Sequence, residues 1–273
     1  MPVRGEFFQN PGSGGGAFYS YQIEQSVRLD RLHADRLYRT PSSAGNRRTL
    51  TISFWIKRAE TAQYQTAILQ SDDPSTVNRT SSINFLTEGN GTGNTGKLAF
   101  GINGGIEAVA YSEGKYRDTT GWINIVHRID TTQSTNTDRT RSYVNGSLIT
   151  YNNDPGTTTY PSQNYQTGFC STSEITVASN GNANSDYPLA GYLAEFILAD
   201  GYSYDASYFG ETKNGVWVPK DYHNTTGNYG TTGFYLRFEN ASDLGNDSSG
   251  NNNDFTTAMG ADHQVLDSPT FGS

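Results

Sequence analysis

Cysteine and long apolar runs are nearly absent from this chain of 273 residues. Cys170 is its single cysteine, so an intrachain disulfide cannot form and a disulfide-bonded secreted scaffold is excluded. The first residues lack the apolar core of a signal peptide, and no stretch of about 18 apolar residues occurs that could cross a membrane. We therefore expect a protein that is made in a cytoplasm and is not inserted into a membrane.

Positive charge is also scarce. The chain has 19 Lys and Arg residues against 27 Asp and Glu residues, which gives a formal net charge of −8. Proteins bind phosphate backbones through clustered Lys and Arg side chains that displace counterions, and the sequence contains no such cluster. We therefore expect no nucleic-acid partner.

Glycine and tyrosine are abundant instead, with 30 and 18 residues respectively. Short runs that alternate apolar and polar residues recur along the chain with turn residues between them, which predicts an all-β fold, an antiparallel β-sandwich. The beginning of the chain differs, because the glycine-rich stretch 10–16 has the composition of a flexible hinge. We predict an N-terminal arm over residues 1–24 and a single domain over residues 25–273.

Two strands carry the clearest core pattern. In the first, Leu50, Ile52 and Phe54 share one face, with Trp55 on the other. The second covers residues 122–129 and begins at Trp122, and we expect both tryptophans to be largely buried. The side chain of His127 lies on the same face of this second strand as a set of apolar residues. We therefore interpret it as a hydrogen-bonded core histidine and not as a ligand or a base.

Five segments follow one another in an order that is typical of one family. They are the Phe-Trp strand at 49–57, the Tyr-Val-Asn-Gly hairpin signal at 143–146, the strand at 191–201, the Val-Trp-Val-Pro turn at 216–219 and the Asn-rich loop at 247–255. Together they resemble a laminin-G-like, concanavalin A-like jelly roll, in the version found in virion structural proteins of tailed phages. The resemblance covers about residues 25–270.

This resemblance implies a virion component of the tail-fibre or capsid-decoration type, with other virion subunits as partners. It leaves three functions open. The first is a non-enzymatic protein whose lectin-like domain contacts host-surface polysaccharide during adsorption. The second is a purely architectural decoration protein that binds neighbouring subunits, and the third is a glycan depolymerase. We expect a homo-oligomer, for example a trimer.

The catalytic pattern of the fold's retaining β-glucanases is missing from the sequence. That pattern places two carboxylates on one strand as Glu-x-Asp-x-x-Glu, and no Glu here is followed two positions later by Asp. Glu195 is matched by a glutamate at the same place in non-enzymatic laminin-G-like domains. We therefore predict no catalytic residues, and a structural Glu195 that accepts bonds from backbone or Arg donors.

Carbohydrate binding needs aromatic faces for sugar C–H groups and polar side chains for hydroxyl groups. The polar loops, including a long stretch at 151–173 that we predict to be functional, supply tyrosines next to Asn and Asp. The candidates for glycan or subunit contact are Tyr111, Tyr116, Tyr151, Tyr160, Tyr165 and Tyr187. Tyrosine also suits protein interfaces, so the sequence leaves both kinds of contact open.

Two further sets of residues are candidates. Phe7 and Phe8 precede the glycine hinge, and we predict that they anchor the chain to another virion subunit or fold back on the sandwich. Oxygen donors concentrate near the C-terminus, where weak Ca²⁺ candidates are Asp243, Asp247, Asn253 and Asp254. The favoured interpretation is a set of Asx turns, in which these side chains bond their own backbone, so we expect no metal and no cofactor.

Overall fold

The computed structural model describes residues 18–71, 80–87, 94, 96–103, 107–152, 159–180, 187–260 and 262–270. Within these ranges the chain forms eighteen β-strands, as the all-β prediction requires. In chain order they are β1 (Ser26–Leu29), β2 (Arg36–Arg39), β3 (Thr49–Arg58), β4 (Gln65–Ser71), β5 (Thr80–Phe85), β6 (Leu98–Ile102), β7 (Ala108–Ser112), β8 (Ile123–Asp130), β9 (Thr140–Val144), β10 (Ser147–Leu148), β11 (Tyr151–Asn152), β12 (Ile175–Val177), β13 (Gly191–Asp200), β14 (Gly210–Lys213), β15 (Val216–Pro219), β16 (Phe234–Leu236), β17 (Thr256–Ala258) and β18 (Gln264–Val265).

Helical structure is confined to short connections in the described part of the chain. It comprises α1 (Tyr222–Thr225) and single 3₁₀ turns at Arg31–His33, Asn136–Asp138 and Ala206–Tyr208. Among the described residues, no helix has the length and apolar character needed to cross a membrane.

The strands form two antiparallel eight-stranded sheets. Sheet A has the order β10-β9-β8-β3-β13-β1-β18, with β16 paired to β13, and sheet B has the order β11-β7-β6-β5-β4-β12-β2-β17. Strands β14 and β15 form a separate hairpin. The two sheets face each other across one hydrophobic core, to which Phe54 and Phe196 of sheet A and Phe85 and Phe100 of sheet B contribute. The architecture is therefore the predicted β-sandwich.

The predicted faces of the core strands are confirmed. Leu50, Ile52 and Phe54 are fully buried in the core, since alternate residues of a strand point to the same side. His127 is buried as well. Its ring stacks on Phe100 with centroids 4.6 Å apart, its Nδ1 lies 2.7 Å from Ser142 Oγ, and burial lowers its pKa to about 3. It is a neutral core histidine with a satisfied hydrogen bond.

The outer face of sheet A is covered by a second aromatic layer. Residues 202–229 fold across this face, where Phe209, Tyr222 and Tyr229 form a buried cluster with Val126 and Ile197 of the sheet. Both faces of sheet A are therefore packed, which explains why nearly every residue of β3 and β13 is buried.

The expectation for the two tryptophans is half correct. Trp55 packs beside Ile23 and Ala194 on the outer face of sheet A and is only 5% exposed. Trp122 is only half-buried, so the prediction of a buried Trp122 was wrong. It precedes β8 at the rim of the layer, where its Nε1 donates to Asp267 Oδ1 at 3.0 Å, because the indole N–H needs a polar partner.

Strand β13 contains a β-bulge at Glu195. The register with β3 shifts between Ala194 and Ile197, and Glu195 has a left-handed φ of 51°. The carboxylate is buried and accepts hydrogen bonds from the hydroxyl groups of Tyr21, at 3.1 Å, and Tyr235. Its role is structural, but its donors are tyrosines and not the backbone or Arg donors that we predicted.

The stretch 159–173 packs as part of the sandwich. Phe169 and Cys170 belong to the main core, and burial raises the pKa of the Cys170 thiol. The Gln70 side chain forms three hydrogen bonds with this stretch: it accepts from the Cys170 amide and donates to the carbonyls of Ser171 and Ser173. The buried half of the predicted functional loop is thus a structural element.

Candidate functional site

A groove opens on the outer face of sheet B, across the middle of the sheet. It has a volume of about 330 Å³ and crosses strands β4, β5, β6 and β7. Its lining comprises Tyr64, Thr66, Leu69, Thr80, Ser82, Asn84, Leu86, Ala99, Gly101, Val109, Tyr111, Asn180 and Tyr187. The outer face of sheet A carries an aromatic layer, and among the described residues no such layer lies over this face of sheet B.

The floor of the groove consists of two rows of residues that lie side by side across the four strands. Register places Thr66, Asn84, Ala99 and Tyr111 in the first row, and Leu69, Ser82, Gly101 and Val109 in the second. The two positions contributed by β6 are alanine and glycine, the smallest side chains. The groove is therefore deepest over β6, in the middle of the four strands.

Aromatic side chains stand at both ends of this depression. Tyr64 and Tyr187 contact each other on the β4 side, with ring centroids 4.6 Å apart, and Tyr111 rises from β7 on the opposite side. Burial, together with the nearby hydroxyl groups of Tyr111 and Tyr187, raises the pKa of Tyr64. Its hydroxyl group therefore remains protonated and neutral at physiological pH.

Polar side chains lie between the aromatic ends. Asn84 Nδ2 donates to Ser82 Oγ at 2.8 Å, and the Asn84 carboxamide oxygen accepts no bond from a described residue. Thr66, Thr80 and Asn180 complete a set of hydroxyl and amide groups around the depression. Tyrosine rings above a floor of amides and hydroxyls can stack on a sugar ring and bond its hydroxyl groups.

The structure brings together two of the six predicted tyrosines. Tyr111 and Tyr187 line the groove, where Tyr111 lies on a strand and not on a loop. Tyr116 is partly buried, packs against the core and is not part of the described groove lining. Tyr151 also packs against the core, with its hydroxyl group 2.7 Å from Ser142 Oγ.

The other two tyrosines lie away from the groove. Tyr160 contacts Tyr151 with ring centroids 6.0 Å apart, and burial raises its pKa. Tyr165 is half-buried in the stretch 159–173, where its carbonyl accepts from Thr131 Oγ1 at 2.8 Å. Neither residue is part of the groove lining.

Tyr64, Asn84 and the small residues of β6 were not among the residues predicted from the sequence to form a site. Tyr64 precedes β4 in a short polar turn, and Asn84 alternates with core residues in β5. One sequence pattern could have identified Asn84. In β5, polar Ser82 and Asn84 alternate with apolar Ile83 and Phe85, which places the two polar side chains on the same face of the strand.

The predicted Ca²⁺ ligands form a hydrogen-bonded turn. Asp247 is buried, with Oδ1 accepting from the amides of Tyr235 and Ser249 and Oδ2 accepting from Ser249 Oγ and the Asn253 amide. Asp254 Oδ1 accepts from the Asp247 amide. Asp243 Oδ1 accepts from the Gly245 amide in the same turn. Among the described residues, no group of three or more His, Cys, Asp or Glu side chains is arranged to hold a metal ion.

The structure describes only part of the predicted N-terminal arm. Phe7, Phe8 and the glycine hinge fall outside the described residues. Residues 18–24 are described, and they lie against the sandwich: Ile23 is 3% exposed, and its amide donates to Thr270 Oγ1 at 2.9 Å.

Comparisons with known proteins give the fold. No family model matches the sequence, and no curated protein does. A solved structure from Bacteroides ovatus ATCC 8483, described as a "putative carbohydrate binding protein", aligns with a TM-score of 0.52 at 13% identity and covers 90% of this chain and 62% of that one. The chain is a concanavalin A-like jelly roll.

Two further structures align with this jelly roll over a smaller share of the chain. Mouse laminin α1 domains LG4-5 give a TM-score of 0.42 at 10% identity, covering 68% of this chain and 44% of that one. The CBM40 domain of the Ruminococcus gnavus IT-sialidase gives 0.41 at 10% identity, covering 68% and 96%.

Proposed function

We propose that this protein is a non-enzymatic, lectin-like component of a phage virion and that the groove of sheet B binds host-surface glycan. The observation that carries the glycan-binding part is the groove itself, with Tyr64 and Tyr111 at opposite ends of a polar floor. Ligand sites are typically concave and combine apolar or aromatic walls with a few placed polar groups. The solved Bacteroides structure described as carbohydrate-binding has the same fold and supports this part of the proposal.

The virion setting is supported by the sequence motifs that resemble phage structural proteins. It predicts that the protein is found on the particle, on a tail fibre or on the capsid. Immunogold labelling of intact phage with an antibody against the purified protein tests this. Absence of the protein from purified particles would refute the virion setting and leave the glycan-binding proposal standing.

The described residues of the groove provide no carboxyl pair for glycosidic bond cleavage. Retaining glycosidases need two carboxyl groups about 5 Å apart, and inverting enzymes need them somewhat farther apart. No Asp or Glu occurs among the described residues that line the groove. We therefore expect the protein to bind polysaccharide without shortening it. An assay for new reducing ends on host polysaccharide checks this, and release of oligosaccharides by the purified protein would overturn it.

The central experiment compares tyrosines on the two outer faces of the sandwich. Tyr111→Ala removes one end of the groove and should weaken glycan binding by about tenfold or more, because truncation of a central aromatic contact typically costs about 2 kcal/mol or more and each 1.4 kcal/mol is tenfold. Tyr208→Ala removes a tyrosine that is 38% exposed and contacts Tyr204 in the layer over sheet A, so it should leave glycan binding unchanged. Equal losses in both variants would refute the groove as the site.

A second function is favoured by one separate observation. On the layer over sheet A, Tyr202 and Tyr208 are 37% and 38% exposed and both contact Tyr204, with ring centroids 5.5 and 4.2 Å away. Exposed tyrosine clusters of this kind suit half-hydrated protein contacts. The architectural alternative, in which the protein binds neighbouring virion subunits, would use this surface, and Tyr208→Ala would then reduce incorporation into particles.

A further inference from the structure

We infer that the groove of sheet B selects uncharged oligosaccharides and discriminates against glycans that carry carboxylate or sulfate groups. This inference rests on the proposed glycan-binding function and specifies its ligand class. It follows from the charge, the hydrogen-bonding groups and the shape of the lining.

The described lining contains no charged side chain. Its polar groups are the hydroxyls of Ser, Thr and Tyr and the carboxamides of Asn84 and Asn180. Two charged residues of the described chain near these strands are engaged: Lys97 is buried with its Nζ 2.9 Å from Asn94 Oδ1, and Glu107 Oε1 accepts from the Ser162 amide at 2.5 Å. The described groove residues therefore offer neither a cation for an acidic sugar nor an anion for an amino sugar.

An acidic sugar would lose solvation in this groove without gaining an ion pair. Carboxylate and sulfate groups are bound in proteins through Arg or Lys, often with two parallel hydrogen bonds, because the charged group must be compensated when water is removed. The formal net charge of −8 adds a long-range repulsion of anionic glycans. A neutral sugar meets neither penalty, and its hydroxyl groups match the hydroxyl and amide groups of the floor.

The shape indicates a chain of sugars. Four strands about 4.8 Å apart span about 14 Å, which exceeds the width of one sugar ring. Ala99 and Gly101 provide the depression in the middle, and Tyr111 faces the Tyr64–Tyr187 pair across it. A sugar bound between them would contact both Tyr111 and the Tyr64–Tyr187 pair, since the Tyr111 hydroxyl lies close enough to affect the pKa of Tyr64.

The test uses glycans that differ only in charge. The full-length protein is applied to an array of neutral cello-, xylo-, manno- and galacto-oligosaccharides together with galacturonic, sialylated and sulfated members. We expect binding to neutral members, at least tenfold weaker binding to the acidic member of each pair, and affinities that change little between low and high salt. Preference for acidic members would overturn the charge selectivity while leaving glycan binding intact. Binding to no member, or binding that Tyr111→Ala does not weaken, would overturn both.

A pair of variants at Val109 sharpens this test. Val109 lies in the second row of the groove floor and is half-buried, so a longer side chain there can extend over the groove. Val109→Lys should strengthen binding of the acidic members and make it decrease with salt, whereas Val109→Met, of similar length but neutral, should not. If Val109→Lys and Val109→Met bind the acidic members equally, the absence of cationic groups is not what excludes them, and the inference fails. Circular dichroism confirms that both variants are folded.

Discussion

At the residue scale, Glu195 is the most unusual ionisable group of the described chain. It lies in the bulge of β13 and contacts two tyrosine hydroxyl groups, whose oxygens are themselves 3.0 Å apart. Burial raises the pKa of Glu195 to about 7, although Tyr235, Arg237 and Tyr21 act in the opposite direction. The folded protein therefore binds a proton here at a pH where the unfolded chain has released it.

This difference predicts how stability depends on pH. The folded-state pKa lies above the ordinary value of 4.5, so the stabilisation from this group is fully present below pH 4.5 and is lost as pH rises toward 7. The full loss is on the order of 3 kcal/mol, since one pKa unit corresponds to 1.4 kcal/mol. Chemical denaturation of the wild type and of Glu195→Gln from pH 4 to pH 8 measures it.

The variant should behave differently at the two ends of this range. At pH 5, Glu195→Gln should be less stable by about 1 kcal/mol, because it disturbs the hydrogen bonds with Tyr21 and Tyr235. By pH 8 the difference should shrink or reverse, because the variant avoids a buried negative charge. Parallel pH profiles for the two proteins would contradict this assignment.

The two tryptophans on the outer face of sheet A give a second residue-scale prediction. Trp55→Ala should cost about 3–5 kcal/mol, since it leaves a cavity beneath the layer. Trp122→Ala should cost less, about 1–3 kcal/mol, because Trp122 is half-buried at the rim. Urea unfolding measures both losses. Trp122→Phe, which keeps an aromatic ring of smaller size and loses the N–H bond to Asp267, is the control that helps to separate packing from hydrogen bonding.

At the scale of elements, two hairpins with similar turns have different surroundings. Gly146 follows Asn145 in the β9–β10 turn with φ of 76°, and Gly215 follows Asn214 in the β14–β15 turn with φ of 83°. A Cβ on Gly146 would lie 2.3 Å from the Trp217 ring, whereas one on Gly215 would meet nothing within 4 Å. The β9–β10 turn is thus packed beneath the β14–β15 hairpin.

This contrast predicts unequal costs for the same substitution. Gly215→Ala should cost about 1 kcal/mol, the strain of a non-glycine residue at positive φ. Gly146→Ala carries the same strain and must also displace Trp217, so it should cost clearly more. Thermal unfolding of the two variants compares them directly. Equal decreases in Tm would show that Trp217 does not pack on the turn.

Some of these elements could be predicted from the sequence and others could not, for physical reasons. Alternation and the Asn145-Gly146 signal were sufficient for β3, β8 and the β9–β10 hairpin, because period and turn chemistry are local properties. The bulge at Glu195 and the pairing of Ala99 with Tyr111 depend on register between strands. The groove could therefore not be read from the tyrosines alone. Tyr116 and Tyr151 look like groove residues in sequence and pack against the core in three dimensions.

At the scale of the whole molecule, the two outer faces of the sandwich differ in what covers them. The segment 202–229 buries the outer face of sheet A beneath Phe209, Tyr222 and Tyr229, whereas the groove lies on the outer face of sheet B. Residues 18–25 also lie on the side of sheet A, where Tyr21 reaches Glu195 and Ile23 packs beside Trp55. Binding of another subunit to this side of the sandwich would not cover the sheet B groove.

This arrangement predicts different outcomes for two truncations of the arm. Deletion of residues 1–16 removes Phe7 and Phe8, which we propose as the virion anchor, but retains Tyr21 and Ile23. The truncated protein should keep the Tm and the glycan binding of the full chain, while its amount in purified phage particles, measured by immunoblot, should fall to background. Deletion of residues 1–24 is the matched control for folding. It also removes the Tyr21 bond to Glu195 and the buried Ile23, so its Tm should decrease. Normal incorporation of the shorter truncation would show that the aromatic pair does not anchor the protein. A lowered Tm in that truncation would indicate instead that residues 1–16 stabilise the sandwich.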